Sequence, residues 1–430
     1  MTPTQADDAD VIVVGGGPAG STAGYYLARA GLDVLVLEKA SYPRDKICGD
    51  GLTPRAVSEL VSMGVDINAD GWMRNKGLRV LGGGHTIEIP WPTMGSYPNF
   101  GLMRPRQDFD EFLANHARFA GARVQERTAV SGPLLHERTG RVIGVNARLL
   151  DEKGKRTGEE VTYRAPLVIA ADGVSARMAL ALGIEKADNR PMGVAVRTYF
   201  QTPRHDDDWM ESHLELWDGK PHESNLLPGY GWIFPGGDGT ANVGLGSVSS
   251  TANATKINYR KLFKQWIANT PEEWGFTEEN QVGPVRGAAL PMAFNRKPLY
   301  RKGMLLIGDA GGMVSPFNGE GIAYAMKAAR TAADIAAQAL IRPDAYQREK
   351  TLRRYPKIMA EELGGYFSLG RVFVKIIEKP KAMRFLTRYG LPRPTLMKLT
   401  MKLLADSYEH HDGDNFDRLI AGLARIAPKA

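Results

Sequence analysis

The sequence predicts an α/β fold interrupted by an antiparallel sheet and completed by a helical C-terminal segment, and three observations predict it. Short apolar runs, each closed by a Gly or Asp turn, recur at residues 11–14, 167–170 and 304–307. Residues 193–248 instead alternate aromatic or β-branched residues with polar ones. From about Gly319 onward the apolar spacing is helical.

Residues 11–14, all Val or Ile, suit a fully buried parallel strand. Gly15-Gly16-Gly17-Pro18-Ala19-Gly20 follows at once, then a helical pattern from Ser21 to Ala30 that Gly31 closes as a C-cap. The run from Asp33 to Glu38 supplies a second strand and completes a strand–helix–strand crossover unit. Gly82-Gly83-Gly84 reads as a hairpin turn, because no helical pattern follows it. Turn signals at Asp218-Gly219 and Gly236-Gly237-Asp238-Gly239 divide the alternating stretch into antiparallel strands. Residues 1–80, 106–185 and 285–340 are therefore assigned to a discontinuous α/β domain. Residues 81–105 and 186–284 go to the sheet domain, and 341–430 form a helical, basic tail. There is no internal repeat.

A Gly-x-Gly-x-x-Gly motif alone is a weak signal, but its position between a buried strand and a helix makes it a Rossmann-like dinucleotide site. Gly15 permits the tight turn, Gly17 lets a pyrophosphate approach the backbone, and Gly20 allows close packing of the helix. Pro18 and Ala19 open that helix, whose N-terminus offers free N–H groups and a positive dipole end. Glu38, followed by Lys39, stands at the end of the second strand, where a carboxylate accepts ribose hydroxyls.

Two later motifs separate a flavin from a nicotinamide. Ala171-Asp172-Gly173 follows one buried strand; Gly308-Asp309-Ala310 follows another, with Pro316 and Gly319-Glu320-Gly321-Ile322 leading into a helix. Here the sequence resembles the FAD-dependent class that includes p-hydroxybenzoate hydroxylase and the geranylgeranyl reductases. The resemblance implies a p-hydroxybenzoate hydroxylase-like fold with FAD as cofactor. It places Asp309 on the ribityl side of the flavin and the amides of residues 318–321 at its ring.

Leu227-Pro228-Gly229-Tyr230-Gly231-Trp232-Ile233-Phe234-Pro235, with Gly244-Leu245-Gly246 after it, resembles the signature of the geranylgeranyl reductases. So do Pro43-Arg44-Asp45-Lys46-x-Cys48-Gly49-Asp50-Gly51-Leu52 and Trp274-Gly275-Phe276. Within that family the sequence most resembles the actinobacterial menaquinone reductases, which saturate a double bond of the prenyl tail. The likeness covers most of the first 330 residues; the remainder matches only in character. It implies a polyprenyl lipid substrate, menaquinone or a geranylgeranyl compound, and sets Arg44, Cys48, Gly49 and Arg106 on the cofactor side.

The residues support this independently. In a strand Tyr230, Trp232 and Phe234 share one face, and Pro228 and Pro235 bracket it. Such a wall suits a long apolar ligand that offers no hydrogen bonds; equally, it can fill an interface between sheet and helices. Tyr230, Trp232 and Cys48 are the candidate catalytic side chains, and Tyr230, Trp232, Phe234 and Pro235 the candidate substrate contacts. Two other readings use the same residues: an FAD monooxygenase on this scaffold, and a non-enzymatic flavin protein recruited to membranes.

The net charge is +7 over 430 residues. Residues 341–430 hold 18 basic and 10 acidic side chains, so the body is nearly neutral and the excess lies in the tail. There Val372, Phe373, Val374, Ile376 and Ile377 interleave with Arg371, Lys375, Lys379, Lys381, Arg384 and Arg388, and Leu396, Met397, Leu399, Met401, Leu403 and Leu404 with Lys398 and Lys402. Such a pattern suits an anionic membrane surface rather than nucleic acid. No apolar run is long enough to span a bilayer. The acidic N-terminus lacks a signal-peptide pattern, and a single cysteine makes no internal disulfide; a cytoplasmic, peripheral membrane location is expected. His205 and His213 lack metal-ligand spacing, and Asp206-Asp207-Asp208, which could hold a divalent metal for a diphosphate, reads as a polar loop, so no metal is assigned. The electron donor has no fingerprint beyond the one dinucleotide motif.

Overall fold

Val11–Val14 is buried along its whole length and paired on both edges, with Leu167–Ala170 on one side and Val34–Leu37 on the other, both parallel. The computed structural model describes residues 8–95, 97–248, 257–408 and 413–427. The N-terminal residues 1–7 and, within the basic tail, 409–412 and 428–430 lie outside the described residues.

The sheet so begun has six strands, in the order Tyr300–Arg301, Met304–Leu306, Leu167–Ala170, Val11–Val14, Val34–Leu37, Arg123–Gln125. All pairs are parallel except the antiparallel edge at Tyr300–Arg301. The helices Pro18–Arg29, Arg106–Phe119 and Ile322–Leu340 pack on one another at this sheet, and the Ala-rich third is buried over most of its length. A smaller three-stranded antiparallel sheet is formed by Thr128–Leu135, Val142–Leu150 and Arg156–Arg164.

The second large sheet has seven strands, in the order Gln281–Pro291, Met192–Gln201, Thr240–Val248, Gly229–Pro235, Trp209–His213, Gly77–Gly82, His85–Pro90. Its pairs are antiparallel, as period-two alternation led one to expect, except where Trp209–His213 lies parallel to Gly77–Gly82. Gly83 and Gly84, both at positive φ, turn the hairpin between Gly77–Gly82 and His85–Pro90. Two of the segment boundaries drawn from sequence cut strands of this sheet: 80/81 falls inside Gly77–Gly82 and 284/285 inside Gln281–Pro291. At the first point the pairing runs through Val80 and Leu81 without a turn residue; at the second, Gly283-Pro284 reads as a turn, but the strand pairs with Met192–Gln201 on both sides of it through a register shift.

The C-terminal segment is helical, with Tyr355–Ile377 and Pro394–Leu404 its principal members and Asn415–Ile426 the last. Helix Pro394–Leu404 lays Met397 and Met401 against the second large sheet, beside Val80, Ile89 and Trp232. Leu399, Leu403 and Leu404 pack on the main core. Of the apolar residues in this helix that the sequence assigns to a membrane face, only Leu396 is exposed. The physical reason is that one face of the helix completes the protein core.

Candidate active site

At Gly15 φ is +103°, and a Cβ would stand 2.5 Å from the Ala171 carbonyl oxygen, so the turn passes the neighbouring strand end too closely for a side chain. At Gly20 a Cβ would overlap the Gly15 carbonyl. Gly17 differs, because its open side faces an ion-pair cluster: Arg44 Nη2 lies 3.5 Å, and Arg106 Nη2 and Asp110 Oδ2 each 3.9 Å, from where its Cβ would be. Gly17 is also the N-cap of helix Pro18–Arg29, which has no side-chain cap. The first-turn N–H groups, the helix dipole and two guanidinium groups thus converge where a pyrophosphate belongs.

Asp110 sets both arginines. Arg106 donates Nε to its Oδ1 at 2.6 Å and Nη2 to its Oδ2 at 2.9 Å, while Arg44 Nη2 stands 3.0 Å from Oδ2. The Asp110 carboxylate is buried, so losing both arginines would leave its charge uncompensated. Glu38 is also buried; its Oε2 accepts from Gly16 N at 2.8 Å and its Oε1 from Ala40 N at 2.9 Å. A carboxylate has further lone pairs, so the backbone orients Glu38 and leaves acceptor capacity for ribose hydroxyls. Lys39 is exposed.

Three sequence-distant turns meet beside this site. Gly308 packs on the helix start, its would-be Cβ 3.1 Å from the Ala19 methyl. Asp309 follows in the turn Gly308–Gly311, with Oδ1 3.4 Å from the would-be Cβ of Gly321. Gly321 is the N-cap of helix Ile322–Leu340, and Gly319 before it has φ +76°. Burial pushes the Asp309 carboxyl up, opposed by Lys46 and Arg106; burial pushes the Lys46 amine down, opposed by Asp309. Lys46 Nζ lies 3.8 Å from the would-be Cβ of Gly173, so it stands between the two strand-end turns. Asp172 acts partly as a turn residue: Oδ2 accepts from Met178 N at 3.1 Å, while Oδ1 is buried without a partner. The arginine-flanked cradle, the half-buried Asp309 and this orphan oxygen fit an FAD.

The loop through Cys48 and Gly49 lies on the aromatic strand. A Cβ on Gly49 would be 3.2 Å from the Phe234 ring and 3.6 Å from Trp232 Nε1. Trp232 Nε1 donates to Asn242 Oδ1 at 2.9 Å; Asn242 Nδ2 donates to the Cys48 carbonyl and to Asp50 Oδ2, each at 2.8 Å. Asp50 also accepts from the Tyr199 hydroxyl at 2.5 Å and from Arg106 N at 3.3 Å. Burial pushes its carboxyl up to about 6, against these donors. Burial likewise pushes up the Cys48 thiol, whose Sγ accepts from Asp50 N at 3.3 Å. That environment keeps the thiol protonated; it is not an activated nucleophile.

Tyr230, Trp232 and Phe234 form one continuous face, with neighbouring ring centroids 6.0 and 6.1 Å apart. Trp232 and Phe234 are buried among Met103, Met210, Met397 and Met401. Ile233 points the other way, into a cluster with Phe200, Val243 and Phe263. Pro235 ends the strand opposite Ala241. Tyr230 reaches the loop that opens helix Ile322–Leu340, its hydroxyl donating to the Asn318 carbonyl at 2.6 Å.

Sequence reasoning named the 318–321 amides but missed the side chains of Lys46, Asp50, Asp110, Asn242 and Glu320. Lys46, Asp50, Asp110 and Glu320 stood inside the motifs themselves, as charged residues among glycines or beside Arg106. Asn242 had no local signal. Among the described residues no three metal-ligating side chains come together. Asp207 is paired with Arg79 and Arg204, Asp208 with Lys76, and His213 with Glu211.

A parallel sheet with its first crossover turned around Gly15–Gly20, and a second sheet facing the same turns, define an FAD-dependent oxidoreductase. Residues 8–350 match the family described as FAD binding domain, and the chain belongs to it. It is 35% identical over 421 residues to the menaquinone reductase of Mycobacterium tuberculosis (strain CDC 1551 / Oshkosh), covering 98% of this chain and 97% of that one. It is 32% identical over 375 residues to digeranylgeranylglycerophospholipid reductase 2 of Methanopyrus kandleri, covering 86% and 87%. A geranylgeranyl bacteriochlorophyll reductase-like protein from Thermoplasma acidophilum superposes with a TM-score of 0.75 at 25% identity, over 96% of this chain and 99% of that one. A flavin-dependent brominase shares the fold at 19% identity, with a TM-score of 0.71 over 97% and 99%.

Proposed function

We propose that the chain is an FAD-dependent reductase that saturates C=C bonds in the isoprenoid chain of a prenyl lipid, with the menaquinone side chain as substrate. The observation that carries this reading is the near full-length identity to a menaquinone reductase, 35% over 98% of the chain. The site is consistent with it.

Bound and reduced, FAD supplies the hydride that an isolated alkene must receive. An isolated alkene is a poor acceptor, so the protein's part is to position it, exclude water and provide a proton. Gly15, Gly17, Arg44, Arg106 and Glu38 would hold the dinucleotide end, and Asp309, Lys46 and Asp172 the middle. The face of Tyr230, Trp232 and Phe234, which the Cys48–Gly49 loop also meets, would receive the prenyl chain. The methionines around it deform readily, which suits a flexible apolar tail.

For location, no helix among the described residues is long and apolar enough to cross a membrane. Val372, Ile376, Phe385, Leu386 and Tyr389 are exposed, with exposed Lys375, Lys379, Lys381, Arg384 and Arg388 interleaved. This patch would rest on an anionic membrane, lysines reaching the headgroups, where a prenyl lipid is found.

Anaerobic reduction of the flavin-loaded protein, followed by menaquinone, tests the reading. Substrate-dependent flavin reoxidation without oxygen, with a product two hydrogens heavier, is expected. Turnover that requires oxygen and yields an oxygenated product would replace it with the monooxygenase. Bound flavin that no prenyl lipid reoxidises would favour the non-enzymatic reading.

A further inference from the structure

Glu320 stands between Gly319 and Gly321, where the flavin-side loop becomes a helix. Its backbone is committed to the loop: N–H donates to Asn318 Oδ1 at 2.9 Å, and the carbonyl accepts from Ser315 N at 2.8 Å. Its side chain crosses to the start of helix Pro54–Ser62, where Thr53 Oγ1 donates to Oε1 at 2.7 Å. The other oxygen, Oε2, is buried and has no hydrogen-bond partner.

The charged and titratable groups that face it are Arg55, Asp406, Tyr230, Tyr324 and Tyr366. Arg55 is paired with Asp406 at 2.9 Å, so its positive charge is partly cancelled before it reaches Glu320. Burial therefore prevails over the Thr53 hydrogen bond and pushes the carboxyl up to about 7. A carboxylate oxygen without a donor is costly to bury, whereas a carboxylic acid at the same place is a proton donor awaiting an acceptor.

Saturating an alkene takes a hydride and a proton, and the groups described so far leave the proton without a source. Tyr230 is a poor one: burial raises its hydroxyl, which already donates to Asn318. Burial raises the Cys48 thiol as well. We propose that Glu320 Oε2 delivers the proton that completes saturation of the double bond, with Thr53 holding the opposite oxygen in place. This rests on the prenyl-reductase reading. One alkene carbon takes a hydride, hence both electrons, from the reduced cofactor, and the other takes H⁺ from Oε2. The π bond is lost, two C–H bonds form, the cofactor is left oxidised, and Glu320 is left as a carboxylate that solvent reprotonates.

The acid form is the active one, so the rate falls as pH rises through about 7. The test uses flavin-loaded wild type, Glu320→Gln and Thr53→Val, each reduced anaerobically and mixed with menaquinone in single-turnover experiments across the neutral range. Glu320→Gln is expected to slow reoxidation ~100-fold or more and to abolish the pH-dependent fall, with flavin content unchanged. Thr53→Val removes a donor that favours the carboxylate, so the fall moves to higher pH. Infrared titration supplies a readout without substrate. In the wild-type minus Glu320→Gln difference spectrum, which cancels Asp50 and the other buried carboxyls, a protonated-carboxyl stretch should fade over the same pH range, and the matching difference for Thr53→Val should keep it to higher pH. Wild-type rates in Glu320→Gln overturn the proposal. So does an unmoved pH limb in Thr53→Val, which keeps the question decidable if the Gln variant does not fold. If the infrared band behaves as expected but no prenyl lipid reoxidises the wild-type flavin, the reductase reading fails and takes this proposal with it.

Discussion

The Tyr230 hydroxyl donates to the Asn318 carbonyl at 2.6 Å, joining the aromatic strand to the loop that opens helix Ile322–Leu340. The two residues are 88 apart in the chain, so one bond aligns the second sheet with that loop.

Tyr230→Phe keeps the ring and removes this link, at a cost of about 1 kcal/mol in stability. Prenyl-substrate turnover should fall roughly tenfold while bound flavin, read from the absorbance ratio, is unchanged. Loss of the flavin would instead make Tyr230 part of cofactor binding.

Gly15→Ala places a Cβ 2.5 Å from the Ala171 carbonyl at a residue with φ +103°. The strain is roughly 1–3 kcal/mol, and the turn must move to relieve it. Purified variant protein should carry little flavin. Lys39→Ala, at an exposed position beside the same site, should carry the normal amount.

Some of this was legible in sequence because it is local. The glycine turn adjoins its own strand and helix, and alternation alone places Tyr230, Trp232 and Phe234 on one face. The partners that make these elements a site come from far along the chain. Thr53 and Glu320 are 267 residues apart, and Tyr199 and Asp50 are 149 apart, so neither pair leaves a local pattern. The tail was legible in composition but not in direction. Its spacing is amphipathic, and only the fold reveals that Met397 and Met401 turn inward while Phe385, 62% exposed, turns out.

Flotation with anionic liposomes tests that outward face. Wild-type protein should float at low salt and sink at high salt, because charged contacts at a surface are screened. Reversing Lys375, Lys379 and Arg384 to Glu should abolish flotation without changing flavin content. Salt-independent behaviour of the wild type would remove the membrane assignment.

The chain passes from one large sheet to the other four times, after Leu37, Pro90, Ala170 and Pro291, before the parallel sheet gains its last strands at residues 300–306. No single cut therefore separates a flavin module from a substrate module. A shortened chain ending anywhere before Met304 lacks a strand that lies directly beside Leu167–Ala170. Nor can the substrate half be exchanged with that of a relative by one fusion joint. Such an exchange would need four crossings matched at once, which couples the evolution of the pocket to that of the cofactor fold.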